Sequence, residues 1–208
     1  MSSARDEILG RIRGALADRP AAREVPWVYG RTVGTGDLDA VGRFVERVAD
    51  YRARVDRVSE DSAAAAITAA LQAASAERVV ANAAVRTAWP HSAPWVADDT
   101  LTIYDLDGID AVVTTATVAI ANTGTIVLDH GPGQGRRALS LVPDVHICVV
   151  EAPLIVDDVP NAVARLVGSG LHTRPLTWIS GPSATSDIEL NRVEGVHGPR
   201  TLHVIVVG

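Results

Sequence analysis

The chain has 208 residues, 47% hydrophobic and 21% charged, so it can bury a sizeable core and is not a disordered segment. Its formal net charge of −6 speaks against a broad nucleic-acid surface, which needs clustered positive charge. All 19 basic residues are arginine, which excludes a Schiff-base or P-loop lysine; the single cysteine, Cys148, excludes an intramolecular disulfide and any iron–sulfur cluster built from this chain alone.

The opening residues, MSSARDEILG, lack the apolar core of a secretory signal, and no apolar run reaches membrane-spanning length, so a cytoplasmic protein is expected. Ser3 is placed to cap a helix running to about Leu16, with Asp6 and Glu7 in its first turn and Ile8, Leu9, Ile12 and Leu16 as its stripe. A loop rich in Pro, Gly and Thr follows from Arg19 to Gly36 and carries Trp27 and Tyr29. Asp37 is placed to cap a second helix through about Arg54, with Leu38, Val41, Phe44, Val45 and Val48 on one face.

From Val55 the rhythm changes. Short β-branched runs at 55–58, 79–81, 111–115, 126–128, 145–150, 176–179 and 202–207 alternate with helical segments, most clearly Ser62–Ala74 and Val159–Val167. Several runs are nearly all apolar, as strands covered on both faces are. The expectation is an α/β fold with a mostly parallel open sheet over residues 55–208, preceded by a helical segment over 1–54. Asn122-Thr123-Gly124 between two strand-like runs predicts an antiparallel corner within 114–126.

Four stretches can carry chemistry. Ligands of open α/β sheets gather beyond the C-terminal ends of the strands, and ISGPSATSDIE (179–189) occupies that position after the run at 176–179. Ser180, Gly181, Ser183 and Thr185 offer hydroxyls and backbone N–H groups to an anion, although Asp187 and Glu189 oppose one unless paired. The alternative is a turn in which Ser183 or Thr185 caps a helix. Thr123-Gly124-Thr125 reads either as a hairpin turn or as a second ligand loop. DHGPGQGRR (129–137) reads either as a solvated loop or as a mobile one presenting Arg136 and Arg137 to a carboxylate or phosphate. His197, between glycines in EGVHGPR, is a candidate acid, base or donor, or else a plain surface residue. No metal-ligand spacing is present among the six histidines, and His146 and His203 read as hydrogen-bonded strand residues.

The order of these stretches is more specific than any one of them. TATVAIANTGTIVL, then RRALSLVPDVHICVV, then ISGPSATSDIELNRVEGVHGPRTLHVIVV resembles the LUD-domain family, in its lactate utilization protein C branch, over about residues 108–207. The resemblance implies a fold similar to ribose-5-phosphate isomerase, glucosamine-6-phosphate deaminase and the CoA transferases. It implies a role in oxidising L-lactate to pyruvate beside iron–sulfur and cysteine-rich partner subunits, with no cluster in this chain. It also implies a small phosphate-bearing or carboxylate ligand on Asn122, the Thr123–Thr125 turn, the Ser180–Glu189 loop and the Gly195–Pro199 segment. Asn122 stands where many relatives carry a carboxylate, and an amide accepts no proton at neutral pH. The alternatives are a stand-alone isomerase- or CoA-transferase-like enzyme using Glu189 or Glu194, and a regulatory protein whose loops are structural.

Overall fold

The computed structural model describes residues 3–18, 30–99, 101–186, 192–194 and 197–208. Trp27, Tyr29, Asp187, Glu189, Gly195 and Val196 lie outside the described residues. The chain forms two compact units, Met1–Arg31 and Thr32–Gly208. The first holds α1 (Ala4–Ala15), capped by Ser3 as expected. The Ser3 hydroxyl accepts the Asp6 N–H, and the Asp6 carboxylate accepts the Ser3 N–H, a reciprocal capping box.

The second unit opens with α2 (Ala40–Asp50). Its cap is Asp39, two residues beyond the expected Asp37, with the carboxylate accepting the Gly42 N–H at 2.6 Å. The helix stops well short of Arg54, because Arg52 takes a positive φ of 64° and turns the chain into β1 (Arg54–Val58). Phe44 and Val48 of α2 are buried among strand residues, so α2 belongs with the α/β unit. The compact unit that holds α2 begins at Thr32.

The chain then runs through α3 (Ala63–Ala73), β2 (Val79–Ala81), α4 (Ala83–Ala88), β3 (Trp95–Ala97), α5 (Ile103–Asp107) and β4 (Ala111–Thr115). The hairpin β5 (Val118–Ile120) and β6 (Thr125–Leu128) is the expected antiparallel corner. After it come β7 (Val145–Glu151), β8 (Ile155–Val156), α6 (Val159–Gly168) and β9 (Thr177–Ser180). The antiparallel pair β10 (Ala184–Ser186) and β11 (Arg192–Glu194) precedes β12 (Thr201–Val207).

Six strands make the expected parallel sheet, in the order β1-β12-β7-β4-β2-β3. The run at 176–179 is not among them. As β9 it lies antiparallel to β6 in a second sheet, ordered β8-β5-β6-β9.

Side chains alternate between the faces of these strands and so define the layers. Ile147 and Val149 of β7, with Ile205 of β12, pack on Ile67 and Leu71 of α3. Their neighbours Cys148, Val150, Val204 and Val206 pack on Ile126 and Leu128 of the second sheet and on Phe44 and Val48 of α2. Val118, Ile120 and Val127 point off the far side onto Ala162 and Leu166 of α6. Burying each such aliphatic or aromatic side chain contributes about 1.5–3 kcal/mol.

The C-terminal half of α2 is locked against two loops. Gly124 closes the β5–β6 turn at a φ of 59°, and a Cβ there would lie 2.8 Å from the Arg47 carbonyl carbon. Gly181, just after β9, has a φ of 79°, and a Cβ would lie 2.7 Å from the Tyr51 Cβ. A left-handed backbone and an overlap with helix backbone act together at Gly124, so Gly124→Ala is predicted to cost about 3 kcal/mol. Guanidinium unfolding measures this, and a loss below about 0.5 kcal/mol would show that α2 does not hold the turn.

Candidate functional site

Two of the four stretches converge on one hollow of about 250 Å³. Ser180, Gly181, Pro182 and Ser183 line it from one side of the sequence, and His197, Gly198 and Pro199 from the other. His146, Thr177 and Leu202 reach it from the strands. Ser183 ties the two segments together. Its N–H donates to the Pro199 carbonyl at 2.8 Å, and its Oγ accepts the His197 N–H at 3.1 Å. A hydroxyl that accepts in this way keeps its own proton for another acceptor.

The Thr123–Thr125 turn meets this loop without lining the hollow. Thr125 pairs with Ser180 across β6 and β9, and their hydroxyl oxygens lie 2.8 Å apart. Thr123 Oγ1 extends the chain, 2.7 Å from Thr125 Oγ1. Gly124 faces α2, and the Asn122 amide donates to the Val33 carbonyl at 2.8 Å. The turn thus supports the loop from behind, and Asn122 serves there as a donor to backbone.

Other expectations are corrected. Residues 184–186 are extended, with Thr185 opposite Val193 and Glu194 opposite Ala184, so neither Ser183 nor Thr185 caps a helix there. The hollow does not lie at the C-terminal ends of the parallel strands. His146 and Leu202 are the second residues of β7 and β12, which puts it at the opposite end of that sheet. The loop does follow the C-terminal end of β9, but β9 belongs to the second sheet.

The stretch 129–137 is a built loop. Buried Gln134 accepts the N–H groups of Asp129 and His130 and donates to the Thr117 hydroxyl. Asp129 accepts the Thr117 hydroxyl at 2.7 Å and pairs with Arg174 at 2.9 Å. Arg136 is committed to the Asp98 carboxylate at 2.7 Å and to the Leu101 carbonyl. Neither Arg136 nor Arg137 lines the hollow.

Sequence reasoning missed three contributors. His146 is fully buried, with Nε2 2.7 Å from Thr114 Oγ1, and burial pushes its pKa down to about 4. It is the hydrogen-bonded strand residue that was expected, yet it also borders the hollow. Thr177 lines the hollow, and its Oγ1 lies 2.8 Å from His130 Nε2. Burial, then the nearby Arg137 charge, lowers the His130 pKa; the Gly135 carbonyl and Asp129 pull less strongly the other way. His130 Nδ1 is buried without a partner among the described residues. A neutral imidazole behind a hydroxyl can exchange a proton with a bound group. The signal for His130 was present, a histidine opening a glycine-rich loop, but its partner stands 47 positions away.

Among the described residues no arginine lines the hollow, which offers hydroxyls, backbone N–H groups and imidazole as donors. Such a set suits the oxygens of a small carboxylate more than a bulky phosphate ester, which favours arginine forks. Residues 41–207 match the LUD domain. The chain belongs to the LUD-domain family. A lactate utilization protein C from Deinococcus radiodurans is 45% identical over 210 residues, covering 100% of this chain and 97% of that protein. The namesake from Bacillus pumilus is 41% identical over 92 residues, 42% of this chain and 38% of that one. The crystal structure of a DUF162 family protein from Deinococcus radiodurans superposes with a TM-score of 0.70 at 42% identity, covering 81% of this chain and 96% of that one.

The buried imidazole gives this LUD domain a pH signature. The folded state binds a proton at His146 less readily than the unfolded chain does, because the usual value near 6.5 falls to about 4. Its contribution is therefore whole above pH 6.5 and is lost progressively as pH falls toward 4, by about 3 kcal/mol in all. NMR titration of the imidazole, with urea unfolding at neutral and acid pH, measures both. A His146 midpoint near 6.5 would contradict the buried placement.

Proposed function

We propose that this LUD-domain protein is a subunit of an L-lactate utilization system and holds a small 2-hydroxy or 2-oxo carboxylate in the hollow between Ser180 and His197. The pathway rests on its likeness over full length to a lactate utilization protein C. The observation that carries the binding reading is Ser183, which ties both candidate segments together and whose hydroxyl accepts the His197 N–H and donates to no acceptor among the described residues. A volume of about 250 Å³ suits a ligand of a few carbons.

In this reading Ser183 and Ser180 donate to the ligand's oxygens, while Gly181 packs on Tyr51 and holds the bend between them. His146 stays neutral and so adds no charge that must be shed at physiological pH. Thr177, backed by His130, offers a route for the proton of a ligand hydroxyl. The electrons go elsewhere. Cys148 is buried, and burial pushes its thiol up to about 12, so it stays protonated. Redox chemistry then falls to partner subunits carrying iron–sulfur and cysteine-rich modules.

Calorimetry with L-lactate and pyruvate tests the site. Both are expected to bind, and Ser183→Ala to weaken binding about tenfold, as loss of a hydrogen bond to a charged group does. Growth tests the pathway: a clean deletion strain is expected to fail on L-lactate and to recover with the wild-type chain. Binding unchanged in Ser183→Ala would overturn the site, and normal growth of the deletion strain would overturn the pathway.

A further inference from the structure

We propose that a second crevice, at the C-terminal edge of the parallel sheet, is a separate small-molecule site selective for an organic cation. It encloses about 690 Å³, within the range of roughly 300–1,000 Å³ typical of ligand sites. It lies where the topology favours one. β2 and β4 are neighbours, yet the chain leaving β2 goes outward to β3 and that leaving β4 goes the other way to β7. Crevices beyond the C-terminal ends of strands that part in this manner are the usual ligand positions of open α/β sheets. α4, which follows β2, supplies Val85 to the lining, and the ends of β4 and β7 supply Thr115 and Glu151.

The lining decides the class of ligand. Trp89, Val85, Val149 and Leu154 make it largely apolar, and its ionisable side chains are Glu60 and Glu151, with no arginine or histidine among the lining residues. Neither carboxylate is paired with an arginine or histidine among the described residues. Two unneutralised carboxylates repel an anion, whereas an indole and carboxylates together attract a cation that also has apolar surface. The first hollow has the opposite preference, with donors for a carboxylate. The two are also spatially distinct: His146 borders one and Glu151 the other, at opposite ends of β7, about 16 Å apart along the strand.

Three probes of one size and different charge test this on the full chain: benzamidinium, neutral benzamide and benzoate, each titrated by tryptophan fluorescence and calorimetry. Benzamidinium is expected to bind, more weakly at about 200 mM salt than at about 20 mM, and the other two not to bind. Glu60→Gln and Glu151→Gln are each expected to raise its Kd about three- to fivefold. Both carboxylates are exposed, and circular dichroism serves to check that the variants fold. Ser183→Ala is expected to leave the benzamidinium Kd unchanged, which separates this site from the proposed carboxylate hollow. Benzamide or benzoate binding as tightly, no benzamidinium saturation by about 10 mM, or an unchanged Kd in the double variant would each overturn the proposal.

Discussion

Thr125 faces Ser180 across β6 and β9, and much else in the molecule depends on that pairing. It joins two segments 55 positions apart and adds a hydroxyl-to-hydroxyl contact to the backbone ladder. It also fixes the register of β9, so that Ser180 leaves the sheet beside the Gly181–Ser183 bend. Slipping β9 by one residue would exchange its buried and exposed sides, taking Thr177 and Ile179 out of the interior. Behind the pairing, α2 packs against both Gly124 and Gly181, so turn and loop share one rigid support.

That support explains how labour divides among residues that look alike in sequence. Thr123, Thr125 and Asn122 are polar residues near a glycine, but their hydrogen bonds go to one another, to Ser180 and to the backbone of Val33. Ser183 and Thr177 face the hollow, and each is held from behind, one by the His197 N–H and the other by the His130 ring. Polar groups in a confined space are useful for binding when their geometry is set before the ligand arrives. The layers supply that rigidity: the parallel sheet packs on the second sheet through Cys148, Val150, Ile126 and Leu128, and Ile179 of β9 packs against the same core.

Much of the fold was legible because its strands are buried on both faces. The runs Val79–Ala81 and Ala111–Thr115 coincide with β2 and β4, since continuous apolar sequence bounded by polar residues leaves little freedom in placing the ends. Asp37 and Asp39 both suit a cap, and local sequence does not distinguish them; the Gly42 N–H does. The second sheet was harder to see. β5 and β8 have three and two residues, too few to show an alternation, and the partner of β9 is chosen by packing. Within the site, Ser180, Ser183 and His197 were readable as a small, hydroxyl- and glycine-rich set. Arg136 misled because its partner, Asp98, is set by tertiary structure 38 positions earlier. His146 looked purely structural because nothing in an apolar strand reveals that one end of it borders a hollow.

The chain therefore presents chemically opposite surroundings at the two ends of β7: neutral donors around Ser183 and His146, carboxylates and an indole around Glu151 and Trp89. The first of these is where a carboxylate is expected to bind. A crystal of the protein soaked in pyruvate tests it most directly. The carboxylate is predicted to sit within hydrogen-bond distance of Ser183 Oγ, between His146 and His197. Pyruvate ordered only at some other place on the molecule would contradict the assignment.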